Sequence, residues 1–124
     1  MRRSIFTATA LVIALTATAA SAQKLPPGVK MANGAMADAS GKALYTYDMD
    51  TMKGMSHCEG RCATAWPPLV APADAKATGD WTLVTRADGT RQWAYKDKPV
   101  YTFAKDAADQ PGAGEAVPNW KLAK

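Results

Sequence analysis

Histidine occurs once in these 124 residues, as His57, and cysteine only twice, as Cys58 and Cys62. A sole imidazole crowded into the cysteine segment is a poor base for a separate nucleophile, which disfavours Ser-His-Asp and Cys-His catalysis. The same scarcity disfavours zinc, because one histidine and two cysteines that oxidise on export leave too few good ligands. A glycine-rich phosphate loop is missing as well, since Gly112-Ala113-Gly114 lacks the lysine and flanking pattern of a P-loop. Carboxylates are numerous, but Asp50 and Asp106 fall at matching places after two strand-like runs and read as turn residues rather than a glycosidase pair. No catalytic residue is assigned, and the chain is expected not to be an enzyme. Charge of one sign is not massed either. The formal net charge is +4, with lysines and arginines scattered among acids, so nucleic acid or an anionic membrane is not an expected partner.

Long apolar stretches are confined to the N-terminus. Arg2 and Arg3 precede an uncharged segment whose core is Ala10-Leu11-Val12-Ile13-Ala14-Leu15 and which ends in Ala20-Ser21-Ala22. That is the pattern of a secretory signal peptide, residues 1–22, with an A-x-A cleavage site. Its core is diluted with threonine and alanine and meets polar Gln23 and Lys24 at once, so a retained transmembrane helix is not expected. No cysteine stands near the cleavage point to take a lipid. The expectation is a chain without a stable membrane anchor, in the periplasm or the medium. Cleavage would leave 102 residues with a formal charge of +2, a length suited to one domain with one core.

What the chain does have is an internal echo. Leu44-Tyr45-Thr46-Tyr47-Asp48-Met49-Asp50 returns as Val100-Tyr101-Thr102-Phe103-Ala104-Lys105-Asp106, and Trp66 follows Tyr45 at nearly the distance at which Trp120 follows Tyr101. A unit used twice is implied. Residues 23–28, with Pro26-Pro27-Gly28, read as an extended leader, and 29–124 as a single domain of two repeats, about 29–69 and 81–122. In the first repeat, Val29 to Met36 reads as one strand, Asp38-Ala39-Ser40-Gly41 as a turn, and Ala43 to Tyr47 as a β-rich run with Tyr45 and Tyr47 on one face. Cys62 to Trp66 fits a helical turn stopped by Pro67-Pro68, and Leu69 to Gly79 reads as an Ala/Pro/Lys-rich connection. In the second repeat, Trp81 to Arg86 alternates, Asp88-Gly89 supplies a hairpin turn, and Arg91 to Tyr95 and Val100 to Phe103 complete a meander. Gly112 and Gly114 are expected to loosen the chain before Val117 to Leu122. The fold expected is mainly β: a small antiparallel domain of two similar β-meander repeats, with a short helical turn near the Cys-x-x-x-Cys loop.

The repeated Tyr-x-aromatic-x-x-Asp string has a structural reading. Rings two residues apart share a strand face and cover a core, and an aspartate just past the strand accepts backbone N–H groups and fixes the turn. Tyr45, Tyr47, Asp50, Tyr101, Phe103 and Asp106, with Trp66 and Trp120, are therefore assigned to structure. The functional alternative is a sugar platform built from Trp66, Trp81, Trp93 and Trp120.

These segments, together with Cys58-Glu59-Gly60-Arg61-Cys62-Ala63-Thr64-Ala65-Trp66-Pro67-Pro68-Leu69 and Arg86-Ala87-Asp88-Gly89-Thr90-Arg91-Gln92-Trp93-Ala94-Tyr95, resemble the bacterial "secreted repeat of unknown function" family. Its members are described as predicted lipoproteins with a Tyr-x-(Phe/Trp/Tyr)-x-x-Asp motif. The resemblance spans about residues 29–122 and implies no established activity. Because the lipid-attachment cysteine is missing, it implies no membrane anchor here.

Export makes a Cys58–Cys62 disulfide the default, and four residues of separation suit one helical turn. The spacing is not Cys-x-x-Cys, and His57 precedes the pair, so neither a thioredoxin-like motif nor covalent haem attachment fits. Met49, Met52 and Met55 recur every third residue, with His57 two places on. Thioethers prefer Cu(I) and imidazole accepts either copper state, so this segment is a candidate copper site. The competing reading makes the three methionines one apolar face of a short helix capping the core, with His57 an ordinary surface residue. The function expected is a non-catalytic binding or structural module of the cell envelope that needs no cofactor and serves an unknown envelope partner or small ligand. The alternative is a periplasmic copper-binding protein.

Overall fold

The computed structural model describes residues 10–11, 25–32, 34–107 and 112–124. Apart from Ala10 and Leu11, the expected signal segment lies outside them. The first repeat contributes β1 (Val29–Ala32), β2 (Ala35–Asp38) and β3 (Tyr45–Tyr47), followed by α1 (Arg61–Ala65) and the two-residue β4 (Val70–Ala71). The second contributes β5 (Trp81–Thr85), β6 (Arg91–Tyr95) and β7 (Lys98–Tyr101), then a 3₁₀ turn (Ala113–Ala116) and β8 (Trp120–Leu122). β5, β6 and β7 pair in succession as a meander; in the first repeat β1 pairs with β2, and the chain then turns back to β3, joined to β2 by the isolated bridge of Ala37 with Ala43.

Two expectations are corrected in this layout. Val29 to Met36 is not one strand. Ala32 pairs with Ala35, so the chain reverses between them, and Gly34 has φ +77°. Asn33-Gly34 is the residue pair that such tight hairpins favour. The connection from Leu69 is also not a plain linker. Val70 and Ala71 pair with Gln92 and Arg91 of β6, and Leu69 donates its N–H to the Val100 carbonyl while its own carbonyl accepts from Trp93.

All strand pairs are antiparallel. β6 pairs along its length with β5 on one side, and with β4 and β7 at its two ends on the other. β7 continues the sheet to β3, and β3 to β8. The β1-β2 hairpin forms a two-stranded sheet of its own, joined to the rest where Met36 donates to the Ala123 carbonyl and Leu44 to the Met36 carbonyl.

The junction between β3 and β7 fixes how the copies meet. Tyr45 lies directly opposite Tyr101, so equivalent residues face one another and an approximate twofold passes between them. The surrounding backbone bonds come in matched pairs. Ala123 to Leu44 (2.8 Å) mirrors Leu69 to Val100 (3.0 Å), and Asp48 to Asn119 (2.8 Å) mirrors Ala104 to Ala65 (2.9 Å). In each pair the segment that follows one copy's aromatic strand is laced to the other side of the junction.

Side-chain alternation gives this sheet two covered faces. Leu44 and Val100 belong to one cluster with Met36, Trp81, Trp93 and Tyr95, on which Leu25 of the leader also rests. Tyr45 and Tyr101 belong to the other, with Trp66, Trp120, Phe103 and Cys58. Tyr45, Leu44, Val100 and Tyr101 are wholly buried. Each buried apolar side chain of this size contributes about 1.5–3 kcal/mol relative to exposure, and the central strands therefore hold both clusters together.

Candidate functional site

The aromatic motif is where the sequence concentrates its unusual residues, and the structure uses all of them between the two copies. Trp66 and Trp120 lie parallel, with centroids 3.8 Å apart and 3° between planes. Tyr47 stacks on the far side of Trp120 at 4.4 Å, and Phe103 on the far side of Trp66 at 4.2 Å. The column runs Tyr47, Trp120, Trp66, Phe103, alternating between repeats. Tyr45 and Tyr101 meet Trp66 and Trp120 edge-on at 5.3 and 5.2 Å. Such contacts contribute about 0.5–1.5 kcal/mol each beyond area burial.

The two aspartates are crossed in the same way. The Tyr45 hydroxyl donates to Asp106 Oδ2 at 2.5 Å, and the Tyr101 hydroxyl donates to Asp50 Oδ2 at 2.6 Å. Each copy's tyrosine is thus held by the other copy's carboxyl group. Asp50 and Asp106 are 2 % and 4 % exposed. Their own backbone N–H groups close matching turns on Tyr47 and Phe103. Asp50 Oδ1 also accepts the His57 backbone N–H at 2.6 Å, seven residues further on, so this carboxyl group fastens the following loop as well as the clamp across the repeats. Burial, and then the hydrogen bond to the partner carboxyl, push both tyrosine hydroxyls well above the ordinary value of 10.0.

Around Tyr101 the clamp extends into a buried polar chain. Ser56 Oγ lies 2.6 Å from the Tyr101 hydroxyl, and Arg86 donates to Ser56 Oγ, Gln92 Oε1 and the Cys58 carbonyl at 3.0, 2.7 and 2.7 Å. Gln92 in turn donates to the Val100 carbonyl. Arg86 is 6 % exposed, a charge tolerable there because its donors are engaged and Glu59 lies 3.8 Å away. Sequence reading missed Arg86 and Gln92. The signal was the β5 alternation, which puts Arg86 on the face of Val84, itself 1 % exposed.

Around Tyr45 the corresponding place is filled by backbone. Gly114 donates its N–H to the Tyr45 hydroxyl at 3.2 Å, and a Cβ there would lie 2.8 Å from both Trp66 Cη2 and Tyr45 Cζ. Gly114 therefore does not loosen the chain as expected. It is buried, and the 3₁₀ turn approaches the rings closely because that position has no side chain.

The sugar platform is overturned. Trp66, Trp81, Trp93 and Trp120 are between 1 % and 7 % exposed, and they divide between the two interior clusters.

The segment 48–60 behaves differently. Cys58 and Cys62 are bonded, with Cα atoms 5.1 Å apart, and α1 begins just after Gly60. Residues 49–57 form no helix, and Met49, Met52 and Met55 are 56 %, 55 % and 46 % exposed. The reading that made them the apolar face of a core-capping helix fails, because Gly54 at φ +78° and the bond from Met55 N–H to the Met52 carbonyl fold the segment into a turn. That turn brings Met52 and Met55 to its two ends. His57 is exposed, and it is its backbone that bonds Asp50. Among the described residues no group of three or more His, Cys, Asp and Glu is placed to hold a metal. Any metal chemistry here would have to rest on the thioethers.

No helix among the described residues is long and apolar enough to cross a membrane. No curated protein and no solved structure matches the chain. A family described as a secreted repeat of unknown function matches twice, over residues 29–70 and 82–124, which are the two halves related by the crossed tyrosines and the ring column. With both its copies accounted for in this way, the chain belongs to that family of secreted repeats.

Proposed function

We propose that this chain is an exported, non-catalytic binding module of the bacterial cell envelope whose working surface is the loop 49–57. The observation that supports this is a division of labour between the two copies. Asp106 reaches the opposite tyrosine just as Asp50 does, yet the sequence between Asp106 and Trp120 contains no methionine, histidine or cysteine. The fold can therefore be closed without those residue types. Cys58 and Cys62 form the disulfide that holds α1, but Met49, Met52, Met55 and His57 are surplus to the architecture, and their exposure leaves them available.

The buried hydroxyl and carboxyl groups support a non-catalytic role, because Tyr45, Tyr101, Asp50, Asp106 and Ser56 are tied to one another inside the clamp. Export to the periplasm or medium belongs to the same reading, from Arg2-Arg3, the apolar core and Ala20-Ser21-Ala22. The test is a variant carrying Met49→Leu, Met52→Leu, Met55→Leu and His57→Asn together. It should unfold at the same denaturant concentration as the parent and fail to restore a strain lacking the protein. Full restoration by that variant would remove the loop from the function.

A further inference from the structure

We infer that the loop 49–57 is a binding site for a soft monovalent metal ion, Cu(I), held by the thioethers of Met49, Met52 and Met55 with the imidazole of His57. This rests on the reading of the loop as the working surface and gives that surface its ligand.

Three observations carry it. Met49, Met52 and Met55 are among the few large apolar side chains that remain exposed, and they fall within seven residues of one another. Leaving such side chains in water forgoes the burial energy that the rest of the chain captures, and in the second copy the corresponding connection has none of them. Second, the loop is tethered on the protein side. Asp50 holds the His57 N–H, Ser56 is held by Tyr101 and Arg86, and Cys58 is fixed by its disulfide and by Arg86. The turn at Lys53-Gly54 closes the middle. The four candidate ligands therefore project from a segment whose ends are fixed, so less ordering remains to be done on binding. Third, the donor set selects the ion. Three neutral sulfurs and one imidazole suit Cu(I), whereas the hard cations that prefer carboxylates would find Asp50 already bonded through both oxygens. The disulfide consumes both thiols, which leaves the thioethers as the available sulfur.

The exported chain, with its disulfide intact, is titrated with Cu(I) in the presence of bicinchoninate, a chelator that reports free ion by colour. One equivalent should be withdrawn per chain. Silver(I) serves as a redox-inert probe, and should shift the methyl resonances of Met49, Met52 and Met55 but not those of exposed Met31 or buried Met36. The triple variant Met49→Leu, Met52→Leu, Met55→Leu should lose at least about tenfold in affinity and His57→Asn a smaller factor, while Met31→Leu leaves it unchanged. Failure to compete with the chelator overturns the metal site. So does undiminished binding in the triple variant, or equal silver shifts at Met31. If copper fails while the four-residue variant still cannot restore the strain, the loop remains the working surface and its ligand is a protein or small molecule. If that variant restores the strain fully, the surface reading itself falls.

Discussion

Tyr45 and Tyr101 show how much of this protein is decided by single side chains. Each hydroxyl is buried and donates to a carboxyl group of the other copy, so removing it strands a buried acceptor, at about 1–3 kcal/mol. The crossing predicts a pattern in a double-mutant cycle. Tyr45→Phe should couple with Asp106→Asn by about 1–2 kcal/mol, and with Asp50→Asn by no more than about 0.5 kcal/mol, since those groups share no partner. Urea unfolding of the parent, the three single variants and the two double variants measures it, and equal coupling to both aspartates would refute the crossed arrangement. The same hydroxyls set the alkaline limit. An unfolded tyrosine releases its proton near 10.0, whereas the folded pair holds it to higher pH. Above pH 10 the unfolded state thus binds fewer protons, and stability falls as pH rises, while below that value the contribution is complete. The urea midpoint of the parent should drop more steeply above pH 10 than that of Tyr45→Phe/Tyr101→Phe; parallel curves would count against it.

Among the elements, the segment from Asp50 to Trp66 depends most on fastenings other than its own hydrogen bonds. α1 has five residues, far too few to persist alone, and it is held by the disulfide, by the Arg86 contact to the Cys58 carbonyl and by Trp66 in the ring column. Reducing the disulfide should cost about 2 kcal/mol, the loop-closure value for so short a ring. A shift of the urea midpoint under reducing conditions measures this, and an unchanged midpoint would mean that Arg86 and Trp66 hold the segment unaided. The element most visible in the sequence was the aromatic strand, because two rings at i and i+2 followed by an aspartate form a periodic signal. β1 and β4 depart from the sequence expectation for different reasons. Asn33-Gly34 is a turn signal inside an otherwise strand-like run, while Val70-Ala71 has no strand pattern and is ordered because β6 and β7 offer it partners.

Across the whole molecule the copies are interlocked rather than adjoined. The chain after Trp66 fills a place beside β6 and β7, the chain after Trp120 fills the equivalent place beside β2 and β3, and the ring column alternates between repeats. Neither half can complete its core alone. Fragments 25–75 and 76–124 should each lack a cooperative unfolding transition by circular dichroism, and mixing them should restore one in a concentration-dependent manner. A cooperative transition in either fragment by itself would contradict the shared interior. Asp50 and Ser56 belong to this interlock, but the exposed side chains of Met49, Met52, Met55 and His57 lie outside it, which is why substitutions of those four are expected to leave stability nearly unchanged.

Sequence alone determined that this is a doubled, mainly β unit with one disulfide, because repetition, two-residue periodicity and cysteine spacing are local properties that survive in a string. It also singled out Met49, Met52, Met55 and His57, since three methionines at regular spacing and the sole histidine fall within nine residues. Only the tertiary structure decided that Tyr45 belongs to Asp106 and Tyr101 to Asp50, that Arg86 is buried, and that the three methionines face water. Those outcomes follow from which residues lie opposite one another across the β3-β7 junction. Each copy carries an identical tyrosine and aspartate, so no pattern within either one states whether the pair closes on itself or on its double.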